Sequence, residues 1–111
     1  MKNLLILATM LLTFGVANAQ KVYSVNNKAF ADVKVFVVNN KAFADLLVYK
    51  VENEAFAGDN NGKWYFVSNK AFAKKKIYFV DNEAFADLKI YYVDNKAFAE
   101  WKNKSKMDLM Q

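Results

Sequence analysis

From Lys21 onward, apolar and polar positions alternate on a fixed beat. Short blocks such as KVFVV, KWYFV, KIYFV and KIYYV are separated by polar stretches built around Asn, Lys and an acidic residue. Short β-branched and aromatic blocks bounded by polar residues predict strands. Counted from the residue after the opening Lys, the second and fourth side chains share one face, and the first and third share the other. In the second half both faces are apolar, because the first and third positions hold Trp64 and Phe66, Ile77 and Phe79, Ile90 and Tyr92. Such strands predict a sheet covered on both sides. In the first half the third position holds Ser24, Val37 and Lys50, and there that face is expected to open to solvent.

The beat is an internal repeat. A thirteen-residue unit, V-Y-x-V-x-N-x-A-F-A-D-x-K, starts at Val22, Val35, Val48, Trp64, Ile77 and Ile90, with spacings of 13, 13, 16, 13 and 13 residues. Its second column is always aromatic, its fourth always Val, its sixth always Asn and its ninth always Phe. Three extra residues within an insertion at 58–63 divide the array into three units and three units. Alternation of this kind does not hold a helical stripe over thirteen residues, so a helix for the whole unit is disfavoured.

The polar half of each unit must redirect the chain without Pro or Gly. Asn does so by tolerating left-handed backbone and by capping a helical turn with its side chain. The N-x-A-F-A-D stretch therefore predicts a tight turn followed by a single helical or irregular turn, with Ala small where chains pass closely. The six Phe of this stretch, Phe30, Phe43, Phe56, Phe72, Phe85 and Phe98, are expected to be mostly buried. Truncating a fully buried one to Ala would then cost about 3 to 5 kcal/mol.

Residues 1–19 stand apart. Lys2, an apolar run from Leu4 to about Val16, and small residues at Ala17 and Ala19 have the layout of a cleaved secretory signal. The run is short of the ~20 residues that cross a bilayer, and no Cys follows it for a lipid anchor. The expected mature chain is a single β domain over 20–111, with a C-terminal tail at 103–111, exported to the periplasm or the cell exterior. So small a domain buries a modest fraction of its surface. With no Cys and no His, neither disulfides nor a typical structural zinc site supplements its core.

Two architectures suit six such units: a short β-solenoid with one unit per rung, or a compact globule whose strands pair out of sequence. The serial pattern seen at Lys34 to Val38, Ala44-Asp45, Leu46 to Val51, and Ala86-Asp87 to Val93 resembles the septknot family of uncharacterised bacterial proteins, over about residues 21 to 102. The resemblance implies a small all-β domain whose strands wind about one another into a deep knot, a topology that connection rules alone would not select. The invariant N-x-A-F-A wording and the insertion are departures from the family pattern. The family brings no activity and no site residues.

Candidate chemistry is sparse. Without His or Cys there is no imidazole base, no thiolate and no transition-metal site to expect. Asp32, Asp45, Asp87 and Glu100 recur as a period, which suits local hydrogen bonds to backbone or pairing with Lys better than general acid or base work. The insertion AGDNNGKW fails as a calcium loop, because the first acid of that pattern falls at Ala57. It reads instead as a tight Asn-Gly turn of the hairpin kind. The formal charge is +5 with no Arg. The run Lys74, Lys75, Lys76 is a solvated face or, functionally, a source of loose attraction to anionic cell-surface glycan or lipid. Nucleic-acid binding is disfavoured, and no catalytic, cofactor or metal residues are assigned. The expected function is a non-enzymatic structural or binding module, with a self-associating, filament-forming surface protein as the alternative and a carboxylate- and Lys-based enzyme as a remote third.

Overall fold

Every strand expected from the repeat forms. The computed structural model describes residues 19–111, so the leader expected over 1–19 lies, Ala19 apart, outside the described residues. The strands are β1 (Lys21–Ser24), β2 (Val33–Val37), β3 (Leu46–Lys50), β4 (Lys63–Phe66), β5 (Lys75–Phe79), β6 (Leu88–Tyr92) and a short β7 (Glu100–Trp101). The first six are parallel and run in the order β4-β1-β5-β2-β6-β3, closed into a barrel by the β3–β4 pair. Strands of the first three units thus alternate with strands of the last three. β7 adds antiparallel to β3. The units form a closed barrel, not the stacked rungs of a solenoid, and closure leaves the six long strands no free edge to seed filament growth.

The register explains why six similar units close. At each junction the third-column residue of one strand stands level with the first-column residue of the next strand round: Ser24 with Ile77, Phe79 with Val35, Val37 with Ile90, Tyr92 with Val48, Lys50 with Trp64, Phe66 with Val22. One repeated offset gives strongly tilted strands and places equivalent residues at equal height, in layers. The first-column layer, Val22, Ile77, Val35, Ile90, Val48 and Trp64, is fully buried and fills the barrel. Valines of the first half alternate there with the bulkier Ile and Trp of the second.

Each connection arches over a strand of the other half. The Val25 N–H extends the ladder to the Ile77 carbonyl (2.8 Å), and seven residues later the Asp32 N–H returns to the Lys76 carbonyl of the same strand (2.7 Å). Because β1 and β2 flank β5, the chain between these bonds crosses the outer face of β5. Matching bonds carry the second turn over β6, the fourth over β1 and the fifth over β2. These overpasses interleave the two halves.

The insertion is where the chain changes circuit. After the third turn crosses β4, Gly58 bonds Gln20 at the start of β1 (2.9 Å), so the next position in the barrel is already taken. The inserted residues fold the chain back between β3 and β1 as β4, using left-handed backbone at Asn60 (φ 53°) and Gly62 (φ 91°). The hairpin expected from Asn-Gly does not form, since the strands it joins are parallel. The turn instead anchors the tail. Trp101 Nε1 donates to the Asn60 carbonyl (2.8 Å), and Asn60 Nδ2 donates to the Met107 carbonyl (3.0 Å). The Lys104–Met110 3₁₀ segment then lays a fully buried Met110 against the core.

Three of the four periodic acids hold the ladder together. Asp32, Asp45 and Asp87 each accept a bond from the backbone N–H of a neighbouring strand, at Lys76, Lys89 and Lys34 respectively (2.8 to 2.9 Å). Asp45 also meets the Lys106 ammonium (3.2 Å) and the Asn103 amide (3.3 Å). Burial pushes its carboxyl upward, but the Lys89 N–H, the Lys106 ammonium and the Asn103 amide outweigh burial and hold it below its usual value. A lowered folded pKa means the carboxylate contributes stability above the unfolded value of about 4, and that this contribution is lost as pH falls through the folded value. Asp45→Asn is therefore expected to destabilise the domain at neutral pH by about 1 to 3 kcal/mol. Its deficit relative to wild type should shrink in melts taken below pH ~4; a deficit constant across pH would remove the charge from this account.

Candidate functional site

Outside the barrel the six turns are nearly identical. In each, the sixth-column Asn holds extended backbone and its Oδ1 accepts the N–H of the residue two positions on, at 2.9 Å in all six. One 3₁₀ turn follows, Lys28–Phe30, Lys41–Phe43, Glu54–Phe56, Lys70–Phe72, Glu83–Phe85 and Lys96–Phe98. The Asn expectation holds. Of each Ala pair, the first is exposed and the second packs inward, most fully at Ala44.

The expectation of buried Phe is overturned. The six rings are between 62% and 69% exposed and, with Val37, are the large apolar residues most open to solvent among the described residues. The reason is geometric: the core is already filled by the first column with Val33, Leu46, Leu88, Trp101 and Met110, and a turn that arches over the outer face has no interior to reach. A signal was present in the sequence, since these Phe are the one invariant column of large apolar residues inside the polar half of the unit. Phe98→Ala is accordingly expected to change the unfolding free energy by no more than about 0.5 kcal/mol. A chemical-denaturation curve shifted by several kcal/mol would restore a packing role.

Neighbouring turns frame open grooves. One, of about 660 Å³, is lined by Tyr91, Val93 and Phe98 of one unit together with Asn40 and Lys41 of the adjacent turn. A second, about 850 Å³, has Tyr65, Val67 and Phe72 with Asn53 and Glu54 across from them. A third, about 320 Å³, has Tyr78, Val80 and Phe85 with Lys28, and a fourth, about 550 Å³, has Tyr49, Val51 and Phe56 with Lys96. The construction is constant. The second-column Tyr and fourth-column Val make the floor, the Phe makes one wall, and the charged residue opening the neighbouring turn makes the other. Each groove therefore combines one unit from each half of the chain.

The barrel mouth at the strand ends is ringed by the third column, in the order Ser24, Phe79, Val37, Tyr92, Lys50, Phe66. Ser24, Val37 and Lys50 are exposed, as their polarity and size predict, while the aromatic three are half-buried. The Lys50 ammonium lies 4.2 Å from the Tyr92 ring centroid and 5.7 Å from that of Phe66, a favourable cation–π geometry. Burial pushes the Tyr92 hydroxyl up to about 12, so it stays protonated at physiological pH.

The Lys74–Lys76 run does not gather into one patch. Lys75 and Lys76 sit on successive positions of β5 and so on opposite faces, and the Lys74 ammonium lies 3.9 Å from Asp59. The periodic acids follow four of the six turns, one to a turn, and do not converge. Among the described residues, no group of three or more His, Cys, Asp or Glu is placed to hold a metal ion.

No curated protein matches the chain. The profile of the 7(1) septoil knot domain matches residues 19–102, which spans all six barrel strands and the six turns that carry the chain over them. Interleaved halves joined by overpasses are what a deep knot requires of a repeat protein, and the chain belongs to the septknot family.

Proposed function

We propose that the protein is an exported, non-enzymatic recognition module in which a knotted barrel displays six copies of one turn. The observation that carries this reading is the uniform exposure of Phe30, Phe43, Phe56, Phe72, Phe85 and Phe98. Single exposed apolar residues are ordinary. Six at one structural position, four of them (Phe56, Phe72, Phe85 and Phe98) beside a groove, concentrate exposed apolar surface where a partner would use it. Export rests on the signal-like layout of residues 1–19. The absence of His and Cys from the sequence favours binding over catalysis.

The test is retention on isolated cell envelopes. Wild type and a variant with all six turn Phe changed to Ser are incubated with envelope fragments and sedimented, after circular dichroism has shown that both are folded. Retention of wild type and loss of the variant are expected. Equal retention of both, or of neither, would remove the Phe turns as the recognition surface.

A further inference from the structure

The lip charges of the grooves restrict what a shared ligand can be. In the four grooves the residue opening one turn faces the Phe of its neighbour, yet it is Lys at Lys28, Lys41 and Lys96 and Glu at Glu54. Each of the four grooves also sets an acid against a Lys, Asp94 with Lys41, Asp81 with Lys28, Glu52 with Lys96, and in the groove of Phe72 Glu54 paired with Lys21 at 3.1 Å, so a charge of either sign would meet a like charge in every one. The floor and Phe wall are otherwise alike, so a ligand common to these grooves is uncharged.

The remaining surface says what kind of uncharged molecule fits. A Tyr and a Phe from one unit offer apolar faces for C–H groups. Each capping Asn commits Oδ1 to its own turn, and among the described residues no acceptor takes its amide Nδ2, which leaves a donor at the groove edge. Acceptors stand beside these donors at the fifth column, as Glu52, Asp81 and Asp94. A molecule with apolar faces and a rim of hydroxyls, each both donor and acceptor, matches this set. Building on the recognition reading above, we propose that the turn grooves bind neutral glycan, one sugar segment to a groove, and that several equivalent weak sites hold a repeating polysaccharide by avidity.

Affinity electrophoresis tests this directly. The full chain, expressed with its own leader and purified as its host processes it, is run through gels containing laminarin, hydroxyethyl cellulose, dextran, galactomannan or arabinoxylan. Retardation by at least one of them is expected, persisting at about 0.5 M salt, where surface charge attraction is largely screened. Changing all six turn Phe to Ala should weaken retention more than about tenfold through lost avidity. A fourfold variant limited to Phe56, Phe72, Phe85 and Phe98 should lose most of it. The matching hexasaccharide should shift the side-chain amide signals of Asn40, Asn53, Asn82 and Asn95 in nitrogen-15 spectra. The proposal is overturned by mobility unchanged in all five gels, by retention that disappears with salt, or by equal retention of the Phe variants. It is likewise overturned if the Phe-dependent contact proves to be a second copy of the chain, read as concentration-dependent dimerisation in sedimentation with no glycan retention. If envelope adsorption stays Phe-dependent while every glycan fails, the recognition reading stands and only its ligand falls.

Discussion

Trp64→Ala is expected to lower the unfolding free energy by about 3 to 5 kcal/mol, the cost of emptying a large aromatic site in a closed core. Trp64 is the largest fully buried side chain and belongs to the first-column layer that fills the barrel. It stands level with Lys50 on one side, and its layer neighbours Val48 and Val22 are too small to fill its place. A domain of this size commonly has about 5 to 15 kcal/mol in total, so the variant should be partly unfolded near physiological temperature. Trp64→Phe separates volume from polarity. The indole Nε1 is buried with no hydrogen-bond acceptor among the described residues, and Phe removes that orphan donor along with part of the ring. Its cost should stay below about 1.5 kcal/mol. Denaturant titrations, each point incubated until folding and unfolding limbs coincide, measure both. A Trp64→Ala cost under about 1 kcal/mol would mean that the layer collapses freely and is not the closed ring described.

How much of this was legible in the residues differs from column to column. The strands follow from the first four columns, because V-Y-x-V alternation permits little else, and the capped turn follows from Asn, whose side chain satisfies a backbone donor wherever it starts a helical turn. The two-faced burial was legible too, although one cover proves to be the barrel interior and the other the turns. Strand order was not. It depends on Ser24 standing level with Ile77 and Phe79 with Val35, and such register arises from closure of the whole ring, which no single unit encodes. The knot entered through resemblance, and the match to the septoil knot domain bears it out. The Phe column misleads because hydrophobicity predicts burial only where the core has room. The first column occupies it together with Val33, Leu46, Leu88, Trp101 and Met110, so a further ring of six Phe could only face outward. The insertion misleads for a related reason: Asn-Gly fixes a local reversal, but whether the flanking strands are neighbours in antiparallel or parallel sense is decided by β1 already holding the next position.

The tail should matter nearly as much as the core tryptophan. Ending the chain after Asn103 removes Met107, Leu109 and the fully buried Met110, all packed against the core cluster. Loss of Met110 alone is worth about 2 to 5 kcal/mol. Three further bonds go with the tail, since Gln20 Nε2 donates to the Met110 carbonyl (3.1 Å), Asn60 Nδ2 to the Met107 carbonyl and the Lys106 ammonium to Asp45. Gln20 is fully buried and its Oε1 has no partner among the described residues, so truncation leaves a buried amide with neither end satisfied, at a further cost of about 1 to 3 kcal/mol. The melting temperature of the truncated chain is expected to fall by more than about 10 °C, taking about 4 to 8 °C per kcal/mol for a domain of this length. Met110→Ala in the full-length chain should recover the backbone bonds and fall between truncated and wild-type values. The loss should also be local at first. Hydrogen exchange should accelerate at Gln20 and along the 58–62 turn before it does so in β2 and β6, because the tail is bonded to the former and not to the latter. A truncated chain that melts within a few degrees of wild type would show that the barrel closes without its plug, and that the tail is carried by the fold instead of supporting it.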